Sequence, residues 1–169
     1  MNNKSTPFPN NPSELIFCYL SCPKQQNSIL GAVMLTNLKV RPLHFSCVSP
    51  VRPTKLQRIL YGSTLEGHIL VDVIAKKLLS DVPHVPHLIF VDTKELLQVS
   101  NITNIPTVYL KGRKGQGEPN NKIEYETDFD ENFKTSLDRL FNQHLTSIDV
   151  LEPFKRLAEA LDEIQKEAK

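Results

Sequence analysis

The chain has 169 residues, of which 40% are hydrophobic and 23% charged, with a formal net charge of +1 and three cysteines. That length suits one α/β domain with a substantial core. It holds no run near the roughly 18 apolar residues of a membrane span, and an odd cysteine count argues against a disulfide framework.

The amino-terminal MNNKSTPFPNNPSE is polar and has no apolar signal core. It reads as a disordered lead over 1–13 of a cytoplasmic protein with no membrane partner. A core domain is expected over 14–128 and a helical extension over 129–169, packed on or beside the core. LIFCYLSC (15–22) is a nearly continuous apolar run, as a buried strand requires. SILGAVMLT (28–36) reads as a second strand buried on both faces. Asn37-Leu38-Lys39 is a turn. LHFSCV (43–48) alternates, with Leu43, Phe45 and Cys47 on one side and His44, Ser46 and Val48 on the other. Short loops make these three strands an antiparallel meander.

SPVRPTKLQRILYGSTLEG (49–67) opens the longest helical pattern. Thr54-x-x-Gln57 is a capping box. Leu56, Ile59, Leu60, Leu70, Val73, Ile74 and Leu78 follow helical spacing. Gly62 and Gly67 interrupt it, and Ser63-x-x-Glu66 offers a second capping box. A short strand, HLIFV (87–91), ends at Asp92. A helix over 93–99 and a strand over 105–110 follow, an order that favours parallel pairing through crossovers. KGRKGQGEPNNK (111–122) reads as a flexible basic loop and IEYET (123–127) as an edge strand. The chain closes with helices over 130–144 and 147–166. Their apolar faces are Phe133, Leu137, Leu140 and Phe141, then Val150, Phe154, Leu157, Leu161 and Ile164.

Charge is unevenly spread. Residues 1–117 hold 13 Lys and Arg against 6 Asp and Glu, whereas residues 118–169 hold 7 against 13. The basic part suits a polyanion or acidic partner, or pairs with the acidic part of its own chain.

Three antiparallel strands, a long helix and then strand–helix–strand resemble the ribonuclease H-like fold. Within it the chain resembles the endonuclease V family over about residues 14–112. Pro50-Val51-Arg52-Pro53 matches the family's Pro-x-x-Pro turn before the long helix, with Leu56 at its apolar place. Val91-Asp92 matches its Val-Asp strand end. Ile105-Pro106-Thr107 matches a later strand start, and Lys111 falls roughly where the family carries a functional lysine. The resemblance implies an α/β domain with a ribonuclease H-like mixed sheet and a carboxy-terminal two-helix extension. It also implies nucleic-acid processing with carboxylates around Mg²⁺. Two positions depart from it. The first strand, LIFCYLSC, has no aspartate, and the family's helix glutamate falls near Ile59 and Leu60.

Asp92 and Glu66 are the candidate catalytic residues, and they are candidate metal ligands if the chain is a nuclease. On an unbroken helix Glu66 lies within the apolar face, where a lone carboxylate is costly; on a broken one it is the N3 partner of Ser63. Asp92 ends a buried strand, where open α/β folds place ligand groups; it also begins a capping-box pattern with Glu95. His84, His87, His44 and the cysteines lack the converging spacing of a zinc site. Arg52, Lys55 and Arg58 oppose the helix dipole and, with Lys111, Arg113 and Lys114, form a candidate nucleic-acid-binding surface.

The expected function is a catalytically degenerate or non-catalytic domain that needs no cofactor. It would recognise nucleic acid or a partner subunit in a nucleic-acid-processing system. One alternative is a Mg²⁺-dependent endonuclease using Asp92, Glu66 and a further carboxylate such as Asp72. The other is a structural adaptor whose last helices dock a protein partner through Phe154, Leu157 and Leu161.

Overall fold

The computed structural model describes residues 8–113 and 123–169, with the backbone alone at Arg113. A hairpin organises the sheet. β1 (Phe17–Ser21) runs antiparallel to β3 (Ser28–Thr36), with Phe17 opposite Thr36 and Ser21 opposite Ala32. β2 (Lys24–Gln25) keeps that register, with Lys24 opposite Ile29, so Cys22 and Pro23 interrupt the strand without shifting it. β4 (Pro42–Val51) lies on the outer side of β3. β5 (Leu88–Val91) pairs parallel to β1, and β6 (Thr107–Arg113) pairs parallel to β5. β7 (Ile123–Glu126) pairs antiparallel to β6. The strand order is therefore β4-β3-β1-β5-β6-β7, with β2 prolonging β1. This is a ribonuclease H-like mixed sheet: an antiparallel meander, then parallel strands reached by helical crossovers.

β4 is longer than the 43–48 expected because it runs on through Pro50. Proline donates no hydrogen bond, and an edge strand tolerates that. The turn before it is fixed by Asn37, whose Oδ1 accepts from the backbone of Lys39 and Arg41 at 3.0 Å each.

All residues of β1 and β3 are buried, because helices cover both sheet faces. On one face Cys18, Leu20, Val33, Leu35, Ile89 and Val91 meet the helical segment 55–80 and the helices after β5. On the other, Phe17, Tyr19, Met34, Leu88 and Phe90 meet the two carboxy-terminal helices. The alternation predicted for β4 is present, since Leu35 sits opposite His44 and Met34 opposite Phe45.

The helical segment is not one α-helix. Thr54 forms the expected capping box, with Gln57 N donating to Thr54 Oγ1 at 3.1 Å and Thr54 N donating to Gln57 Oε1 at 2.9 Å. α1 (Lys55–Tyr61) then ends at Gly62, whose φ of 52° suits glycine. A 3₁₀ turn (Gly62–Thr64), α2 (Leu65–Gly67), a π-helical stretch (His68–Ala75) and α3 (Lys76–Ser80) continue the path. The break at Gly62, one of the two readings that the sequence leaves open, divides the apolar positions. Leu70, Ile74 and Leu78 are buried, but Leu56, Ile59 and Leu60 are 63%, 67% and 72% exposed. Gly62 turns α1 away from the sheet. Val73 is also 39% exposed, because the wider i→i+5 winding of the π stretch rotates it off the face that 3.6-residue spacing assigns.

After β5, a 3₁₀ turn (Lys94–Gln98) leads into α4 (Val99–Thr103), closed by Asn104 in the left-handed conformation. The helix expected over 93–99 thus runs further. Residues 111–113 of the predicted basic loop continue β6, and the rest of that loop, Lys114 included, lies outside the described residues.

α5 (Glu131–His144) is capped by Asp130, whose side chain accepts from Phe133 N at 2.9 Å. It buries the four residues predicted from its spacing. α6 (Glu152–Glu167) starts later than 147, with Pro153 in its first turn, where a missing N–H costs nothing. It buries Leu157 and Leu161, and Phe154 packs edge-on against Tyr19 at 5.2 Å. The residues expected to dock an adaptor's partner therefore face the chain's own sheet. Phe8 packs on Phe133 at 6.0 Å.

One glycine sets the helix-to-sheet distance. A Cβ at Gly31 of β3 would overlap Ile74 Cγ2 and press on Val48 Cγ2. Gly67, in contrast, has helical φ and open space around the Cβ position. Gly31→Ala should lower unfolding stability by about 1–3 kcal/mol through overpacking. Gly67→Ala should raise it by up to about 1 kcal/mol. Urea melts of both variants would check this, and a neutral Gly31→Ala would refute the close approach.

Candidate site at the carboxyl end of the sheet

β4, β1, β5 and β6 all point their carboxyl ends the same way, since β3 is antiparallel to both neighbours and β5 and β6 are parallel to β1. The register sets Leu20 opposite Val91, which brings Ser21 beside Asp92. Ser21 Oγ donates to Asp92 Oδ2 at 2.6 Å. Asp92 Oδ1 is buried without a hydrogen-bond partner among the described residues. Burial pushes the Asp92 carboxyl above its ordinary range, opposed by the Ser21 bond and its own backbone N–H. Cys22 follows Ser21; burial first and the Asp92 charge second push its thiol up to about 12. Cys22 is a free thiol buried at the end of the first apolar run.

Asp92 does not cap the helix after it. Thr93 occupies the N-cap position and makes no side-chain capping bond.

Glu66 sits in α2, half-exposed, and pairs with Lys24 of β2. The Ser63 capping box does not form, because the path stays helical through Thr64, which makes no side-chain capping bond. Thr64 Oγ1 instead donates to the Tyr61 carbonyl at 2.7 Å. Glu66 lines an open cleft of about 780 Å³ with Tyr61, His68, Asp72 and Glu95 among its walls. His68 stacks on Tyr61 at 4.6 Å and lies 3.1 Å from Asp72 Oδ2 through Nδ1. Asp92 is not part of that cleft. Among the described residues, no three His, Cys, Asp or Glu side chains are grouped to hold a metal ion. The His-x-x-His pair is structural at His87, whose Nδ1 accepts from Ile16 N at 3.1 Å.

Arg52, Lys55 and Arg58 are exposed at the carboxyl end of β4 and along α1, in no ion pair among the described residues. Lys111 lies on β6, four strand positions from β4, about 19 Å at standard spacing. It pairs with Glu126 at 3.0 Å, and Glu126 also takes Lys94 at 2.7 Å. These cations hold the Glu126 carboxyl below its ordinary range. Arg52, Lys55 and Arg58 thus lie at the β4 edge of the sheet, and Lys111 lies on β6 beside the opposite edge strand. Ser21 and Lys24, which hold the two candidate carboxylates, were not singled out from sequence. The only signal is position: Ser21 ends the first apolar strand and Lys24 follows shortly after it.

No family model matches the chain, and no curated protein matches it. Among solved structures, human ENDOV aligns over 57% of this chain and 46% of its own length, at 10% identity and a TM-score of 0.39. Ciona intestinalis endonuclease V, solved with an inosine-containing DNA, aligns over 80% and 57%, at 8% identity and a TM-score of 0.39. Marinitoga piezophila Argonaute, solved with a guide RNA, aligns over 81% and 26%, at 8% identity and a TM-score of 0.38. The chain spans about half the length of these endonuclease V proteins.

The raised carboxyl of Asp92 has a signed consequence. The native state holds this proton more tightly than the unfolded chain, so its contribution to stability falls as pH rises from the ordinary value of 3.8 through the native one. Asp92→Asn keeps an acceptor for Ser21 and removes the ionisation. The variant should be more stable than the parent at neutral pH, with the advantage vanishing below the ordinary carboxyl range. Thermal melts across pH would show it, and a pH-independent difference would refute it.

Proposed function

We propose that the chain is a non-catalytic ribonuclease H-like domain that recognises nucleic acid or a partner subunit in a nucleic-acid-processing system. One observation carries this reading. Both candidate carboxylates are held by the chain itself, Asp92 by the Ser21 hydroxyl and Glu66 by Lys24. The exposed cations at the carboxyl end of β4 supply a recognition surface in place of a reaction centre.

A Mg²⁺-dependent endonuclease is the second reading, favoured by the unpartnered buried Oδ1 of Asp92. One assay separates the two. Single- and double-stranded DNA and RNA are incubated with the protein and Mg²⁺ or Mn²⁺, with Asp92→Ala and Glu66→Ala alongside. The expected result is no metal-dependent cleavage by any of the three. Cleavage by the parent that is lost in Asp92→Ala would establish the nuclease. If the binding partner is nucleic acid, affinity should fall steeply with salt and Arg58→Glu should reduce the salt slope.

A further inference from the structure

We propose that α1 is the docking face for an acidic amphipathic helix of a partner protein. The inference deepens the recognition function proposed above and rests on it. Soluble chains expose aliphatic side chains singly and seldom as a contiguous patch. Here Leu56, Ile59 and Leu60 are each more than 60% exposed. At 3.6 residues per turn they form one stripe along α1, with Lys55 and Arg58 beside it. The face is also preorganised. Pro53 and the Thr54–Gln57 capping box fix its start, Gly62 fixes its end, and Tyr61 stacks on His68 of the packed helical path. Helices dock in grooves and on faces through apolar anchors at this spacing.

Charge selects the partner. Cations flanking an apolar stripe call for carboxylates flanking a matching one. Two copies of α1 pairing face to face would oppose Lys55 and Arg58 to their own kind. The acidic helices of the same chain are engaged, since α5 and α6 bury their apolar faces against the sheet. Nucleic acid would satisfy the cations and leave the three aliphatic side chains without a partner. Single-strand platforms stack bases on aromatic rings, and Tyr61 already stacks on His68. A membrane surface is a poor fit too. The three side chains carry about twelve carbons, fewer than a myristoyl chain, which alone binds only marginally.

The test uses the full chain and labelled helical peptides with leucine at i, i+3, i+4 and i+7. One peptide has glutamates beside the leucines, one has lysines there, and one is the glutamate peptide with its order scrambled. Vesicles of phosphatidylcholine and phosphatidylserine form a separate arm. The glutamate peptide should bind, and the other two should bind at least roughly tenfold more weakly. Ile59→Ser and Leu60→Ser should each weaken binding by roughly tenfold, the size of a hot-spot loss. Arg58→Glu should weaken the glutamate peptide and strengthen the lysine peptide. All three positions are solvent-facing, so the variants should keep the parent's melting curve. No binding by the glutamate peptide, equal binding by the scrambled one, indifference to Leu60→Ser, or preferential capture by the vesicles would each overturn the proposal. None of these results depends on cleavage, so the docking face and the non-catalytic reading fail separately.

Discussion

Burial of the central strand on both faces governs the rest of the molecule. No side chain of β1 is exposed, and an ion in such a place must be paired, ligated or neutralised. The strand meets this constraint with Phe17, Cys18, Tyr19 and Leu20, so polar chemistry begins only at Ser21. The hydroxyl there donates to Asp92, the residue that follows the neighbouring strand β5. The result is a short hydrogen-bonded seam at the rim of the core, where β1 and β5 end side by side.

The same constraint explains where interaction surface remains. Both broad faces of the sheet lie under helices. Partners are left with the edges and with segments that project past the strand ends. α1 is such a segment, detached from the packed helical path by a single glycine with positive φ. Its exposed leucines are not a packing defect, because the rest of that path buries Leu65, Ile69, Leu70 and Ile74.

The fold was readable wherever periodicity and burial agree. The continuous apolar runs of β1 and β3, the alternation in β4 and the stripe of α5 each carry their own signal, because one face or two faces of a regular element are dry. Thr54 and Gln57 were equally legible, since a capping box involves only local residues. Legibility failed where the answer depends on a partner distant in sequence. Glu66 reads as a capping residue until Lys24 is seen beside it. Asp92 reads as a cap until β1 supplies Ser21. Leu56, Ile59 and Leu60 have the spacing of core residues, and only the turn at Gly62 determines that they face solvent. The π-helical winding at Val73 has no local signature in the sequence either.

The position of α5 and α6 bears on how the chain is made. Phe17, Tyr19, Leu88 and Phe90 are synthesised early but are covered by Phe133, Leu137, Leu157 and Leu161. Until α5 and α6 leave the ribosome, that face of the sheet lacks the side chains that cover it. A nascent chain halted after β7 would present a sheet with a greasy aromatic face, the kind of surface that chaperones hold and that aggregates. Leu157 and Leu161 of α6 thus complete the cover of this face, and the sandwich cannot close until α6 has been made.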